Sequence, residues 1–417
     1  MYKTEKNKKL TKEKLEQLKK KTKGITLIAL VVTIIVLLIL AGVAINLSIG
    51  QNGIFSRAKD ATSTWRNAEA NEQLTMGELV DKIDKVTRVD GVPIPEGFYY
   101  AGGSKETGLV ISDKEEDEKN FSEESKNEEV DNTLQGNQFV WVPVPDYSSL
   151  YVEEKTAIKL SNVNATTNIW SNLNIRSVDE STFKLGKPGE TEKSREPDVL
   201  NSYDTDGQYY KTILGFNSTK EMANNFVEEY NAIYNSIKKF EGFYIGRYEL
   251  TGTVNNPSER KGEVLSADKA GNWYYLYKAC KNMIKKENVK STMIYGVQWD
   301  ATMEWLKQTK FKDDTGKVDT DSTSWGNCND SSGDADIEEA GTKQDTGYSE
   351  FWKANNIYDL AGNCFEWTQE AGKNSNRVLR GGSFDNSGSL CPVSDRTNNI
   401  PSSNIGNATT RAILYIK

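Results

Sequence analysis

Apolar residues along this chain fall into three patterns. The first is an unbroken run, ITLIALVVTIIVLLILAGVAI at 25–45, with no charge in it. A bilayer core takes about 20 such residues to cross, so the run reads as a transmembrane helix over 25–46. GQNG at 50–53 then disfavours helical continuation, and the rest of 47–91 reads as a mainly polar helical stalk. Its sparse apolar residues leave a solvated rod and a partner-contacting helix both open. The second pattern has three- and four-residue steps. Met222, Phe226, Tyr230, Ile233 and Ile237 form one stripe of a helix over 218–242, which Gly242 is expected to stop. Val297, Ala301, Trp305 and Leu306 share one side of a second helix over 297–310. The third pattern is short apolar strands beside prolines and glycines: VPIPEGFYYAGG (92–103), GNQFVWVPV (136–144), FYIGRYEL (243–250) and the closing TTRAILYIK.

Between these lie polar stretches. SDKEEDEKNFSEESKNEEVDN (112–132) reads as a disordered acidic loop, without the glycine and terminal glutamate of an EF-hand. Residues 145–217 and 312–341 read as surface insertions. The sum is an α+β domain over 92–417, carried on an N-terminal helix.

Charge narrows the function classes. The net charge is −8, and outside the lysine-rich residues 1–23 there is no basic stripe, which argues against a nucleic-acid partner. The lysines before the apolar run place the N-terminus (1–24) in the cytoplasm and the chain after Asn46 outside, as a single-pass membrane protein. Histidine is absent from the chain, which removes Ser-His-Asp and Cys-His catalysis and imidazole zinc sites. The cysteines, Cys280, Cys328, Cys364 and Cys391, show no C-x-x-C spacing. One or two disulfides and four separate thiols are equally compatible with that pattern.

The junction Lys23-Gly24-Ile25-Thr26-Leu27-Ile28 resembles the processing site of type IV prepilins and pseudopilins. The resemblance implies peptidase cleavage between Gly24 and Ile25 and packing with other pilins in a filament. Where that family carries Glu at the fifth mature position, this chain has Ala29, so the usual pairing with a neighbour's N-terminal amine is lost.

FYIGRYEL, VQWDATMEW, NIYDLAGNCFEWTQE, VLRGGSF and TTRAILYIK, in that order, resemble the formylglycine-generating-enzyme (sulfatase-modifying-factor) domain, a variant of the C-type lectin-like fold. Gly362, Asn363, Glu366 and Trp367 carry one motif; Arg380, Gly381, Gly382 and Ser383 carry the next, and Arg411 opens the last strand. All are expected to build scaffold, with Arg380 and Arg411 suited to pairing with buried carboxylates, Glu366 being a candidate. A calcium role for Asn363 and Glu366 is implied by the family, with no other cofactor.

The family's enzymes place two cysteines three and eight residues after the motif serine. Here those positions hold Asn386 and Cys391. One thiol does not make a paired-thiolate copper site, so the chain is expected not to be an enzyme. The same scaffold serves the variable proteins of diversity-generating retroelements, which Pro392-Val393-Ser394-Asp395-Arg396 and Pro401 resemble. That likeness implies a rewritten ligand-binding face for an extracellular protein or glycan. Its first segment would hold Phe384, Asp385, Asn386, Leu390, Cys391 and Asp395. Thr397, Asn398 and Asn399 would continue it, followed by Ser402, Ser403, Asn404 and Asn407. The alternatives are a minor pilin head and an oxidase-like relative using Cys391 with a partner such as Cys364.

Overall fold

The computed structural model describes residues 27–49, isolated positions between 62 and 84, residues 85–145, 209–309 apart from 218, residue 311, and residues 318–331, 340–371 and 376–417. The leader with its Gly24–Ile25 junction, most of the stalk, and residues 146–208 of the expected insertion lie outside the described residues.

The chain divides into two units, Met1–Val80 and Asp81–Lys417. The first contains α1 (Leu27–Ile49), a 23-residue helix with no acidic residue in its first turn and no basic one in its last. The side chains described within it, residues 30–41, are all exposed. Among the described residues no helix is long and apolar enough to cross a membrane.

The second unit mixes helix and sheet. It opens on a hairpin of β1 (Val86–Val89) and β2 (Val92–Pro95), joined through Asp90 (φ 51°) and Gly91 (φ 74°). Two left-handed residues in succession are what a two-residue hairpin turn requires, and Asp-Gly supplies them. The helical stalk expected to run to residue 91 therefore gives way to sheet by Val86.

There follow β3 (Tyr99–Gly102), β4 (Val110–Ser112), β5 (Gln138–Pro143), α2 (Thr219–Phe240), β6 (Gly242–Gly246), β7 (Thr251–Thr253) and β8 (Asn256–Ser258). After these come α3 (Trp273–Met283), β9 (Val289–Met293), α4 (Gly296–Gln308), β10 (Lys353–Ala354), β11 (Ile357–Tyr358), β12 (Phe365–Ala371), β13 (Arg377–Arg380), β14 (Thr397–Asn399), β15 (Ala408–Thr410) and β16 (Ala412–Ile416). A six-stranded antiparallel sheet runs β3-β4-β5-β6-β16-β9, so the last strand of the chain lies inside the sheet. Burial of all five residues of β16 follows from that central place. The α2 stripe is wholly buried and packs against β6 and β16, with Phe226 stacked on Tyr277 of α3 at 5.0 Å. A four-stranded sheet, β14-β13-β12-β15, is antiparallel except for the parallel pair β12–β15.

Three expectations change here. Gly242 does not stop α2; Glu241 takes the left-handed position (φ 59°) and Gly242 begins β6, where a Cβ would stand 2.2 Å from the Trp141 ring. The stretch 112–132 is folded, not disordered. Its Asp117 is buried and accepts from Ser112 Oγ at 2.5 Å, Gln135 N at 2.9 Å and Gly136 N at 2.8 Å. One satisfied buried carboxylate organises a segment whose composition alone favours solvent. The described part of 312–341 does not lie wholly on the surface: Ser322, Trp325, Asn327 and Cys328 are buried beneath the C-terminal loops.

Candidate functional site

Three arginine–carboxylate pairs with buried side chains frame the C-terminal segment. Arg411, at the entry to β16, donates to Glu366 of β12 through Nε (3.1 and 3.2 Å) and a terminal nitrogen (2.6 Å). Its remaining donors reach Gly246 O at 3.0 Å and Tyr358 O at 2.9 Å, so one side chain links both sheets. Arg380, at the end of β13, pairs with Asp300 of α4 and donates to Ser394 O at 2.6 Å. Arg396 pairs with Glu370 of β12. The Arg411–Glu366 pairing matches the expectation for Glu366; Asp300 and Glu370, the partners of the other two arginines, were not anticipated. Asp300 was in view within the VQWDATMEW motif, but nothing in a linear sequence aims it at Arg380.

Arg411 also lies in the field of further buried carboxylates, Glu259 and Glu249. Burial pushes the carboxyls of Glu249 and Glu259 well above their usual range. Burial also raises Glu366, against the pull of Arg411. The same loss of solvation raises Asp359 to about 6, although Gly347 N–H and Thr346 Oγ1 donate to it at 2.7 and 2.9 Å.

The expected calcium donors are committed elsewhere. Asn363 Oδ1 accepts from Asn327 Nδ2 at 3.1 Å and Gln344 N at 3.0 Å, and its amide donates to Glu249. The Glu366 oxygens face Arg411. Among the described residues no cluster of three acidic, cysteine or histidine side chains is placed to hold a metal. Asn363 thus ties a loop.

Glycines set the turns. Gly362 has φ 75°, and a Cβ there would come within 2.0 Å of the Asn327 carbonyl oxygen. Gly362→Ala is therefore expected to destabilise the domain by about 1 kcal/mol or more, measured by urea unfolding; an unchanged midpoint would contradict the clash. Trp367, beside this turn, is fully buried. Gly382 (φ 72°) lets Cys391 O approach to 2.4 Å of where a Cβ would stand, folding the loop back onto the Arg-Gly-Gly-Ser turn.

The candidate face is split by burial. Phe384, Asn386 and Cys391 are half-buried, Asp385 is exposed, and Leu390 is 72% exposed. Asp395 is set apart from them: it is buried, and the whole Val393–Arg396 segment forms an inner spine. Val393 N donates to Ser322 Oγ at 2.9 Å, Trp299 Nε1 donates to Val393 O at 3.0 Å, and Ser394 Oγ bonds Asp319 O. Beyond the spine, β14 carries half-buried Thr397, Asn398 and Asn399 along the sheet edge to Arg377 and Asn376. Ser402 and Ser403 are half-buried, Asn404 is exposed, and Ile400, which the sequence reading left out, is 50% exposed. Asn407 returns to the first group, its amide reaching Ser383 Oγ and Asp385 Oδ1 at 3.2 Å. The face thus has two groups, one at the turn 384–391 joined by Asn407, the other along β14 and residues 400–404.

Asn386 and Cys391 occupy the two positions of the expected thiol pair, and Cys364 is sealed in the core with Glu249 bonded to its N–H at 3.0 Å.

No protein-family profile and no curated protein matches the chain. Among solved structures, CarF aligns at 13% identity with a TM-score of 0.28, covering 42% of this chain and 87% of CarF. Treponema denticola variable protein 1 aligns at 14% identity with a TM-score of 0.21, covering 69% of this chain and 89% of that protein. At those scores neither likeness carries an argument about this chain.

Proposed function

We propose that this chain is a membrane-anchored, non-catalytic binding protein. Its second unit is read as a C-type lectin-like domain of the formylglycine-generating-enzyme type, and its C-terminal rim as holding an extracellular protein or glycan. The observation that carries this reading is the division of residues 380–411 into a charge-locked frame and an exposed rim. Arg380, Arg396 and Arg411 tie the frame to Asp300, Glu370 and Glu366, in ion pairs in which Asp385, Leu390 and Asn404 take no part. A surface of that kind tolerates exchange of its side chains while the fold stays fixed, as retroelement diversification requires. The uncharged apolar run at 25–45 supports the anchor, since about 20 such residues match the hydrocarbon core of a bilayer.

The test combines stability with binding. Asp385→Ala, Leu390→Ser and Asn404→Ala together are expected to leave the unfolding midpoint nearly unchanged, since surface substitutions cost within about 0.5 kcal/mol each. On glycan and cell-surface-protein arrays probed with the full-length protein in mild detergent, the same triple variant should lose at least about tenfold in affinity for whatever the wild type selects. An identical binding profile would sink the reading. Recovery of the chain from filaments, with its N-terminus at Ile25, would move it to a pilus-borne head.

A further inference from the structure

The turn that ends at Cys391 lies flush against the segment carrying Cys328. Asn329 donates from its backbone to Asn386 O and from its amide to Asp385 O, both at 2.9 Å. Ser322 N reaches Gly388 O at 2.9 Å, and Asp330 accepts from Gly388 N at 2.7 Å and Ser387 Oγ at 2.6 Å. A Cβ on Gly388 would stand 2.6 Å from Thr323 N, so the two strips of backbone are as close as glycine permits. Cys391 closes the turn, its N–H donating to Ser387 O at 2.9 Å, and Cys328 immediately precedes Asn329. Cys328 is buried, Cys391 is half-buried, and neither is in a disulfide.

We propose that Cys328 and Cys391 form a thiol pair that closes into a disulfide, stapling the exposed rim at 384–391 to the 322–331 segment. The oxidant is a disulfide of the small-molecule or protein class. The thiolate of Cys391, the more accessible of the two, attacks it and expels one thiolate, leaving a mixed disulfide. Cys328 then loses its proton and attacks the Cys391 sulfur, forming the internal bond and expelling the second thiol. Two chain thiols are oxidised and one external disulfide is reduced to two thiols. Burial, then the carboxylates of Asp330 and Asp321 and the nearby Cys391, push the Cys328 thiol up to about 12. The resolving step is therefore slow at neutral pH. The reduced Cys328 thiol gains no thiolate stabilisation, which favours the closed bond. Cys280 and Cys364 are fully buried and serve as internal controls.

The test is peptide mapping of the full-length chain in detergent after equilibration with reduced and oxidised glutathione and alkylation of the remaining thiols. A Cys328–Cys391 cross-linked peptide is expected, retained in Cys280→Ser and Cys364→Ser and absent in Cys391→Ser. Cys328→Ser should instead hold glutathione on Cys391. Closure should accelerate about tenfold per pH unit between 7 and 9, following the thiolate fraction of Cys328. Four alkylated thiols in the oxidised wild type, or a lasting glutathione adduct on Cys391 beside an alkylated Cys328, would overturn the pair. The readout is covalent mass, so it stands or falls independently of whether the rim binds a ligand.

Discussion

Glu366→Ala is expected to cost about 3–5 kcal/mol, the largest effect of any single substitution in the frame. The change leaves Arg411 charged in the interior without its hydrogen-bonded carboxylate, holding Gly246 O and Tyr358 O and feeling Glu259 and Glu249 only at longer range. Glu366 also stands at the crossing of three strands, opposite Arg380 on β13 and Thr409 on β15, so the stranded charge sits where both sheets meet. A paired replacement, Glu366→Leu with Arg411→Met, should recover part of the loss, because apolar side chains of similar volume remove the uncompensated charge. Recovery stays partial since the two carbonyls that Arg411 satisfies are then left without their donor. Urea unfolding of the wild type and both variants decides the point. A single variant within about 1 kcal/mol of wild type would show that the pair does not hold the sheets together.

The second large effect is on pH. Asp359 is buried, and its folded-state carboxyl is raised from an ordinary 3.8 to about 6. A raised carboxyl binds its proton more tightly in the folded than in the unfolded state. Its contribution is therefore fully present below about pH 4 and is lost as pH rises through about 6. Two pH units correspond to on the order of 3 kcal/mol. The groups facing Asp359 set the sign: Gly347 N–H, Thr346 Oγ1 and Arg411 favour the charged form, while burial and Glu366 oppose it and prevail. Asp359→Asn retains an acceptor for Gly347 and Thr346 but does not titrate. Its stability should fall less steeply than wild type between pH 4 and 6, as read from urea midpoints at fixed ionic strength. Parallel curves would mean that Asp359 is ionised throughout.

Much of the architecture is legible without coordinates because it depends on local periodicity. The α2 stripe, the α4 helix and the strands β5 and β6 appear where apolar spacing places them. The helix α3 escapes such a reading: WYYLYKACKNM is rich in aromatic residues that equally favour strands. It is helical because Asn272 caps it, accepting from Tyr274 N at 3.1 Å, and because Trp273 and Tyr277 stack on Phe226 of α2. The β1–β2 hairpin had a local signal, the Asp90-Gly91 pair, which the polar, helix-like residues before it obscured.

What the sequence determined by itself is the run of apolar residues at 25–45, the absence of histidine, and the α+β alternation. Each follows from residue type and spacing alone. Only the tertiary structure decided which carboxylate each arginine meets, that Asp395 belongs to the interior, that Asn363 ties a loop, and that Cys328 comes to the turn of Cys391. Those outcomes depend on segments distant in sequence being brought together by sheet order, with β16 inserted between β6 and β9. Pairing across such distances is set by the packing of the whole domain, and linear spacing carries no record of it.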